Sequence, residues 1–355
     1  MSNRLLDLYT DFLICTTGLA TATGLSSVLD NEVSHDQISR FLNKLNGDRK
    51  QLWHEVKGLV RQQEVSESCN IIIDDTIEEK PYSDINEIIN FHYSHSKHMQ
   101  IQGINIMTAI AGFSKVAIPI DYHIVSKTQE VLDPNTGKVR IVSEVSKNEV
   151  ARNFIFQALR NRINFKYVLA DIWFSSGENM EYINRMNRKF IFGCKTNRMV
   201  KFNKVWHKLK DLPLADEQVI HCYIKDVNFP VAITKKVFTN DDLSTGEMYL
   251  ISNDLELSGS ELYSVYQKRW VIEVYHKSIK QNAALAKSPT KIVKTQSNHI
   301  YCSILAFVKL EKLKIASSLN HFSLKAKLFV TATKSAMTEL TKFKLMPNLA
   351  QISPC

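Results

Sequence analysis

The segment from residue 266 to residue 280 carries four side chains with complementary chemistry. They stand at offsets of 0, 3, 7 and 14 and are Tyr266, Arg269, Glu273 and Lys280. In one α-helix these positions fall within an arc of about 60°. A carboxylate can hold a divalent metal ion, and guanidinium and ammonium groups contact phosphates. The spacing therefore predicts a surface that grips a phosphodiester beside a metal ligand, or else the solvated polar face of an ordinary amphipathic helix.

A single long helix is expected to carry this stripe, over residues 258–281. Ser258 and Glu261 have the S-x-x-E spacing of a capping box, which marks the start of a helix. Val265, Ile272 and Ile279 recur every seven residues on an adjacent face and are expected to pack against a sheet. The helix would thus be anchored by one stripe and present the other.

Two short apolar runs end in acids and are expected to be buried strands. CNIIIDDT, residues 69–76, places Asp74 and Asp75 after three isoleucines, and YVLADIW, residues 167–173, places Asp171 after an alanine. An aspartate at a strand end is either a ligand or a turn and capping residue. Three strands followed by alternating helix and strand predict a mixed α/β sheet.

The N-terminal 65 residues are predicted to be helical. In SHDQISRFLNKL, residues 34–45, Ser34 and Gln37 form a second capping-box pattern. Ile38 and the following apolar residues then mark one buried face, and Arg40 and Lys44 lie on the other. This segment is either the reading helix of a helix-turn-helix or an ordinary surface helix.

The charge distribution is typical of a protein that binds polyanions. The chain has 355 residues and a formal net charge of +9. Residues 182–210 contain nine Lys/Arg and no acid, and residues 264–295 contain seven with Glu273 as their single acid.

The six cysteines form no C-x-x-C pair, so neither a zinc site nor a redox motif is indicated. Without a secretory leader pattern or an apolar run of about 18 residues, a cytoplasmic protein is expected.

The motifs together resemble the DDE transposases of bacterial insertion sequences. The pattern Y-x-x-R-x-x-x-E-x-x-x-x-x-x-K is similar to the YREK signature of the group typified by insertion sequence four. IIIDDT resembles that family's first-aspartate strand, in which the aspartate before threonine is the ligand, and so selects Asp75 over Asp74. YVLADIWFSSGEN resembles the second-aspartate strand and selects Asp171. The resemblance covers about residues 69–300 and, more loosely, the helical N-terminus.

This resemblance implies a ribonuclease-H-like catalytic core, with a mixed sheet and flanking helices, interrupted by a β-rich insertion. The expected domains are a helical DNA-binding region (1–65), the first part of the core (66–194), the insertion (195–256), the C-terminal part of the core (257–320) and a basic tail (321–355). Asp75, Asp171 and Glu273 would be catalytic and would hold Mg²⁺ or Mn²⁺, as two ions.

The implied reaction is cut-and-paste DNA transposition. The enzyme would nick the ends of an element hydrolytically, form hairpins and transfer the strand into target DNA. Its partners would be double-stranded DNA, at the terminal inverted repeats and the target, and a second copy of the chain. Tyr266, Arg269 and Lys280 would contact phosphates, as would Arg40 and Lys44 near the N-terminus. Trp206, in the β-rich insertion, is a candidate for holding a flipped base or else a core residue of that insertion.

Two other functions remain open from the residues alone. One is a catalytically inactive or repurposed DNA-binding protein derived from a transposase. The other is a phosphatase of the haloacid-dehalogenase type, which also begins with a strand ending in aspartate. That class requires a second aspartate two residues after the nucleophile, and Ile77 stands two residues after Asp75.

Overall fold

The computed structural model describes residues 2–94, 97–132, 134, 137–240 and 242–345. They form two compact units. The first comprises the chain up to Leu45, Ser278–Thr290 and the chain from Asn298; the second comprises Asn46–Lys277 and Lys291–Ser297. Of the basic tail predicted for 321–355, residues 346–355 lie outside the described part.

Helices account for most of the first unit and flank the sheet of the second. They are α1 (Ser2–Cys15), α2 (Ala22–Val28), α3 (His35–Lys44), α4 (Arg49–Glu64), α5 (Lys147–Arg160), α6 (Gly177–Arg185), α7 (Gly259–Gln267), α8 (Val271–Asn282), α9 (Val293–Ser317) and α10 (His321–Lys344). The predicted capping boxes at Ser34 and Ser258 are both present. Within the described residues, no helix is both long enough and apolar enough to cross a membrane.

The strands belong almost entirely to one sheet in the second unit. They are β1 (Cys69–Glu79), β2 (Asn90–Ser94), β3 (Met99–Gly112), β4 (Ala117–Ile124), β5 (Gln129–Leu132), β6 (Val139–Val142), β7 (Phe165–Ala170), β8 (Lys189–Cys194), β9 (Met199–Phe202), β10 (Val205–Lys208), β11 (Val219–Ile224), β12 (Val231–Thr239) and β13 (Thr245–Ser252). Among the described residues, β5 and β6 form a separate hairpin and the other eleven strands join.

The centre of this sheet has the strand order β4-β3-β1-β7-β8. β4, β3 and β1 pair antiparallel, whereas β1, β7 and β8 pair parallel through crossovers that contain α5 and α6. The mixed α/β class is therefore confirmed, and this order is compatible with a ribonuclease-H-like DDE domain. Long apolar side chains fill both faces of the central strands, as expected for parallel strands covered by helices.

The strands of the predicted β-rich insertion extend the same sheet. β13 pairs antiparallel with β8, and β12, β11, β9 and β10 follow in that order to the sheet edge. β1 also differs from its prediction, because it continues to Glu79 and carries Asp74 and Asp75 in its middle. The reason is its long antiparallel partner β3, which pairs with it as far as Glu79.

The segment predicted as one long helix has a tighter turn in its middle. α7 ends at Gln267, residues Lys268–Trp270 form a 3₁₀ turn, and α8 begins at Val271. The backbone stays right-handed throughout, so Tyr266, Arg269 and Glu273 still follow one another on a helical path. The prediction of a single α-helix, on which the 60° arc depended, was nevertheless wrong.

Candidate active site

β1 presents Asp74 and Asp75 to opposite faces of the sheet, since successive side chains of a strand alternate. The face of Asp74 is the one that α8 covers. A Cβ added to Gly112, the register partner of Asn70, would lie 2.6 Å from Ile72 and 3.5 Å from Val271 of α8. Residues 70, 72 and 74 share that face. α8 therefore packs over Asp74, whereas Asp75 points away from it.

Asp74 is a buried carboxylate with one strong cationic partner. Its Oδ2 accepts a hydrogen bond of 2.9 Å from the guanidinium of Arg269. Its Oδ1 accepts one of 2.9 Å from the backbone N–H of Asp75. Burial and, after it, the nearby charge of Asp171 raise its pKa to about 7 against the opposing effect of Arg269. Negative charge at this position is therefore costly until a further cation compensates it.

Arg269 connects Asp74 to the helix acid and to the tyrosine of the same stripe. Its two terminal nitrogens each lie 3.3 Å from Oε1 of Glu273. Its guanidinium carbon lies 5.8 Å from the centre of the Tyr266 ring. Tyr266 is buried, which raises the pKa of its hydroxyl. The 3₁₀ turn thus directs the side chain of Arg269 toward Asp74 of the sheet, and the ring of Tyr266 lies beside its guanidinium.

Asp171 follows β7 and begins the 3₁₀ turn Ile172–Phe174. Its carboxylate accepts a 2.9 Å hydrogen bond from the backbone N–H of Trp173. The parallel register pairs Ile73 with Ala170, so the next positions along the two strands, Asp74 and Asp171, lie on the same face. Burial raises the pKa of Asp171, and Arg269 lowers it.

A group of ligand atoms suited to a cation lies where β1 meets α8. One atom each from Asp74, Glu273 and His276 lies within 4.8 Å of the other two. Glu273 and His276 are three residues apart on α8 and so share a helix face. Neither Asp74 nor His276 was among the metal ligands predicted from the sequence. The i, i+3 spacing of a glutamate and a histidine after Arg269 was an available signal for the second.

Asp75, which the resemblance selects as the first ligand, occupies a different setting. Its Oδ2 accepts hydrogen bonds of 2.8 Å from Nζ of Lys147, at the start of α5, and of 2.6 Å from the amide of Asn105 on β3. Strand alternation is the reason, since it turns Asp75 toward α5. The structure therefore brings Asp74, and not Asp75, against Glu273.

The remaining predicted site residues lie elsewhere in the fold. Lys280 lies in the last turn of α8, seven residues after Glu273 and in the other unit. Arg40 and Lys44 are exposed on α3, whose opposite side buries Ile38. Trp206 lies on β10 and is 46% exposed, so the alternative of a core residue was wrong.

Two further tryptophans adjoin the site in sequence and are open to solvent. Trp270, which follows Arg269, is 67% exposed. Trp173, whose backbone N–H donates a hydrogen bond to Asp171, is 48% exposed. An exposed tryptophan leaves a large apolar surface in water.

The chain was compared with known proteins. A family described as DDE superfamily endonuclease matches residues 1–209, which include Asp74, Asp75 and Asp171. No match was found among curated proteins. The matched segment is more than half of the 355 residues, and its two aspartate strands lie side by side in the sheet. The chain belongs to the DDE superfamily of endonucleases.

Proposed function

We propose that this chain is a transposase of the YREK group, in which Asp74, Asp171 and Glu273 are the three catalytic acids. The observation that carries the proposal is the convergence of Asp74 and Glu273, from distant parts of the chain, on one cation-binding group. Asp171 joins them through the parallel register of β1 and β7. We assign this role to Asp74 instead of Asp75, which the resemblance selects, because of the face on which each carboxylate lies.

The residues present fit a divalent cation. DDE nucleases generally use divalent metals, and carboxylate oxygens are the ligands that Mg²⁺ and Mn²⁺ prefer. His276 adds an imidazole nitrogen, a common metal ligand in proteins, to these oxygens. Bound here, such ions would lower the pKa of a water molecule or a DNA 3′-hydroxyl and stabilise the leaving oxygen. We propose that Asp74, Asp171 and Glu273 would hold two such ions.

The neighbouring side chains would orient the DNA. Arg269 already lies beside Asp74 and Glu273, so its guanidinium is placed to bind a phosphate oxygen next to the cation. Tyr266 holds that guanidinium in position. We assign Lys280, two turns further along α8, to a phosphate outside the reacting group. None of these roles requires a covalent bond between protein and DNA.

The finer steps of the reaction rest on the resemblance. The substrate would be double-stranded DNA at the terminal inverted repeats of an element. Nicking would be followed by hairpin formation, hairpin opening and transfer into target DNA. We propose that two copies of the chain act together, because two ends have to be joined to one target.

The helix α3 is proposed to contact the element's ends through Arg40 and Lys44. Replacing either by alanine is expected to weaken binding to the ends and to lower the dependence of log Kd on log salt by about 0.9 per lost phosphate contact. Electrophoretic mobility shifts at several salt concentrations measure both. Lys57→Ala, an exposed lysine on α4, is the control. Equal losses with all three variants would remove α3 from the interface.

The function itself is tested with DNA that carries the inverted repeats flanking the coding region. Purified protein is expected to cut at the repeat boundary with Mg²⁺ or Mn²⁺ and to leave the DNA intact with a chelator. Sequencing gels show the position of the cut and any hairpin product. Binding without cleavage under every metal condition would favour the repurposed DNA-binding protein instead.

A further inference from the structure

A row of aromatic and basic side chains crosses the edge of the sheet formed by β9, β10 and β11. Lys201 of β9 is the register partner of both Trp206 of β10 and Tyr223 of β11. Register partners on neighbouring strands point to the same face. The three residues therefore stand in a line on one face, with Lys201 between Trp206 and Tyr223. We call this set, Trp206, Lys201 and Tyr223, the edge row.

The pleat of the sheet, rather than loose packing, exposes the edge row. Asn203 and Lys204 both have positive φ, 48° and 68°, which gives the two-residue turn that matches strand twist in a hairpin. The turn fixes the register of β9 and β10. On the opposite face, Val200 and Ile224 are buried, at 0% and 2% exposure. The apolar face of these strands is thus buried, and Trp206 and Tyr223 lie on the face that is open to solvent.

The surroundings of the edge row are open and mainly basic. A depression of about 650 Å³ is lined by the row and by Lys204 and Lys225, with Asp226 also on its wall. Tyr223 is 49% exposed, similar to Trp206. Within the part of the chain that the structure describes, the side chains of Lys201, Lys204 and Lys225 form no ion pair. Their charge is therefore available to an anionic ligand.

We propose that the edge row binds a single strand of DNA through its unpaired bases. Any base can stack on an exposed aromatic ring, because every base has a π-face. The rings of Trp206 and Tyr223 stand on strands two spacings apart, about 10 Å. Lys201, between them, is placed to contact the phosphate that links two stacked bases. In a duplex the bases are already stacked on each other, so the row favours single strands over double strands.

This inference rests on the proposed function, because an enzyme that opens and rejoins DNA ends has unpaired strands to hold. It adds Tyr223, Lys201 and a preference for strand type to the earlier prediction for Trp206. The position of the row is fixed by backbone register and does not depend on the assignment of the catalytic acids.

The test is the binding of a dye-labelled oligothymidylate, followed by fluorescence anisotropy in buffer with a chelator so that no cleavage occurs. Trp206→Ala and Tyr223→Ala are each expected to weaken binding by about five- to 150-fold. Trp206→Phe keeps a stacking ring and is expected to stay within about threefold of the natural chain. Lys201→Gln is expected to reduce the slope of log Kd against log salt by about 0.7.

Two controls separate the edge row from general effects. Phe156→Ala removes another exposed aromatic ring, 47% exposed on α5, and is expected to bind as the natural chain does. Melting temperatures identify variants that have lost their fold, and the exposed Lys201→Gln tests the proposal even if an alanine variant unfolds. Unchanged affinity and salt slope in the folded row variants, or equal losses on fully paired DNA, would overturn the inference.

The outcome is distinguishable from failure of the proposed function. Cleavage at the repeats together with row variants that bind single strands normally would defeat the edge row alone. Loss of single-strand binding in the row variants of a chain that never cuts DNA would defeat the proposed reaction alone.

Discussion

Asp74→Asn is expected to abolish metal-dependent cleavage, with a loss of about a thousandfold or more in rate. The reason is that the amide lacks the negative charge with which Asp74, as proposed, would hold the cation together with Glu273, and metal ions contribute several kcal/mol to such reactions. Single-turnover cleavage of end DNA in Mg²⁺ measures the loss. Binding to the same DNA is expected to stay within about threefold, since α3 and the edge row are unchanged.

Asp75→Asn is the matched control for this prediction. It makes the same chemical change one residue further along β1, on the face of α5. The hydrogen bond from Lys147 loses its ionic partner, so some thermal stability is expected to be lost. The cleavage rate, however, is expected to fall by no more than about tenfold. The reverse ranking of the two variants would restore Asp75 as the first ligand and contradict the face argument.

Arg269→Ala is expected to have opposite effects on metal binding and on DNA cleavage. Its guanidinium competes with a cation for Asp74 and Glu273, so its removal should tighten Mn²⁺ binding, by about tenfold, through lost repulsion. The same change removes a charge-assisted phosphate contact and should slow cleavage by about ten- to 150-fold. Calorimetric Mn²⁺ titration and cleavage kinetics measure the two effects.

The Arg269 experiment requires a suitable pH and a control variant at a neighbouring lysine. The titration belongs at a pH of about 8.5, because loss of the guanidinium raises the pKa of Asp74 further above its value of about 7. Lys268→Ala removes an exposed cation from the same 3₁₀ turn and should leave Mn²⁺ affinity unchanged. Weaker Mn²⁺ binding in Arg269→Ala would show that the guanidinium organises the acids instead of competing for them.

The sequence was informative about element types and about the residues on the long helical segment. Capping boxes at Ser34 and Ser258 marked true helix starts, because both side-chain and backbone partners are set by local spacing. The 3₁₀ turn at Lys268–Trp270 was not predictable in this way. Capping patterns specify where a helix begins, and nothing in residues 266–273 breaks helical propensity.

The choice between the two adjacent aspartates could not be made from the strand. Residues 69–74 are buried on both faces, so the run has no alternation that would show which side each acid faces. The side that α8 covers is decided by the chain's path through the sheet, far from residue 74 in sequence. The resemblance directed attention to the pair Asp74 and Asp75, but it carried no three-dimensional argument for one carboxylate over the other.

The solvent exposure of Trp206 could not be predicted from the sequence either. Trp206 lies between Val205 and His207 in a four-residue strand, and only the register of three strands shows that Lys201 and Tyr223 stand beside it. Side-chain type alone favours the core for so large a ring. Pairing between strands, which brings residues 201, 206 and 223 together, supplies the missing information.

The most direct test of the central claim is a crystal structure of the protein with bound Mn²⁺, located by its anomalous scattering. We expect a manganese peak about 2.0–2.2 Å from carboxylate oxygens of both Asp74 and Glu273. A peak bound to Asp75 on the α5 side of the sheet would contradict it. So would a site that stays without manganese at saturating metal in crystals of an enzyme that cleaves DNA.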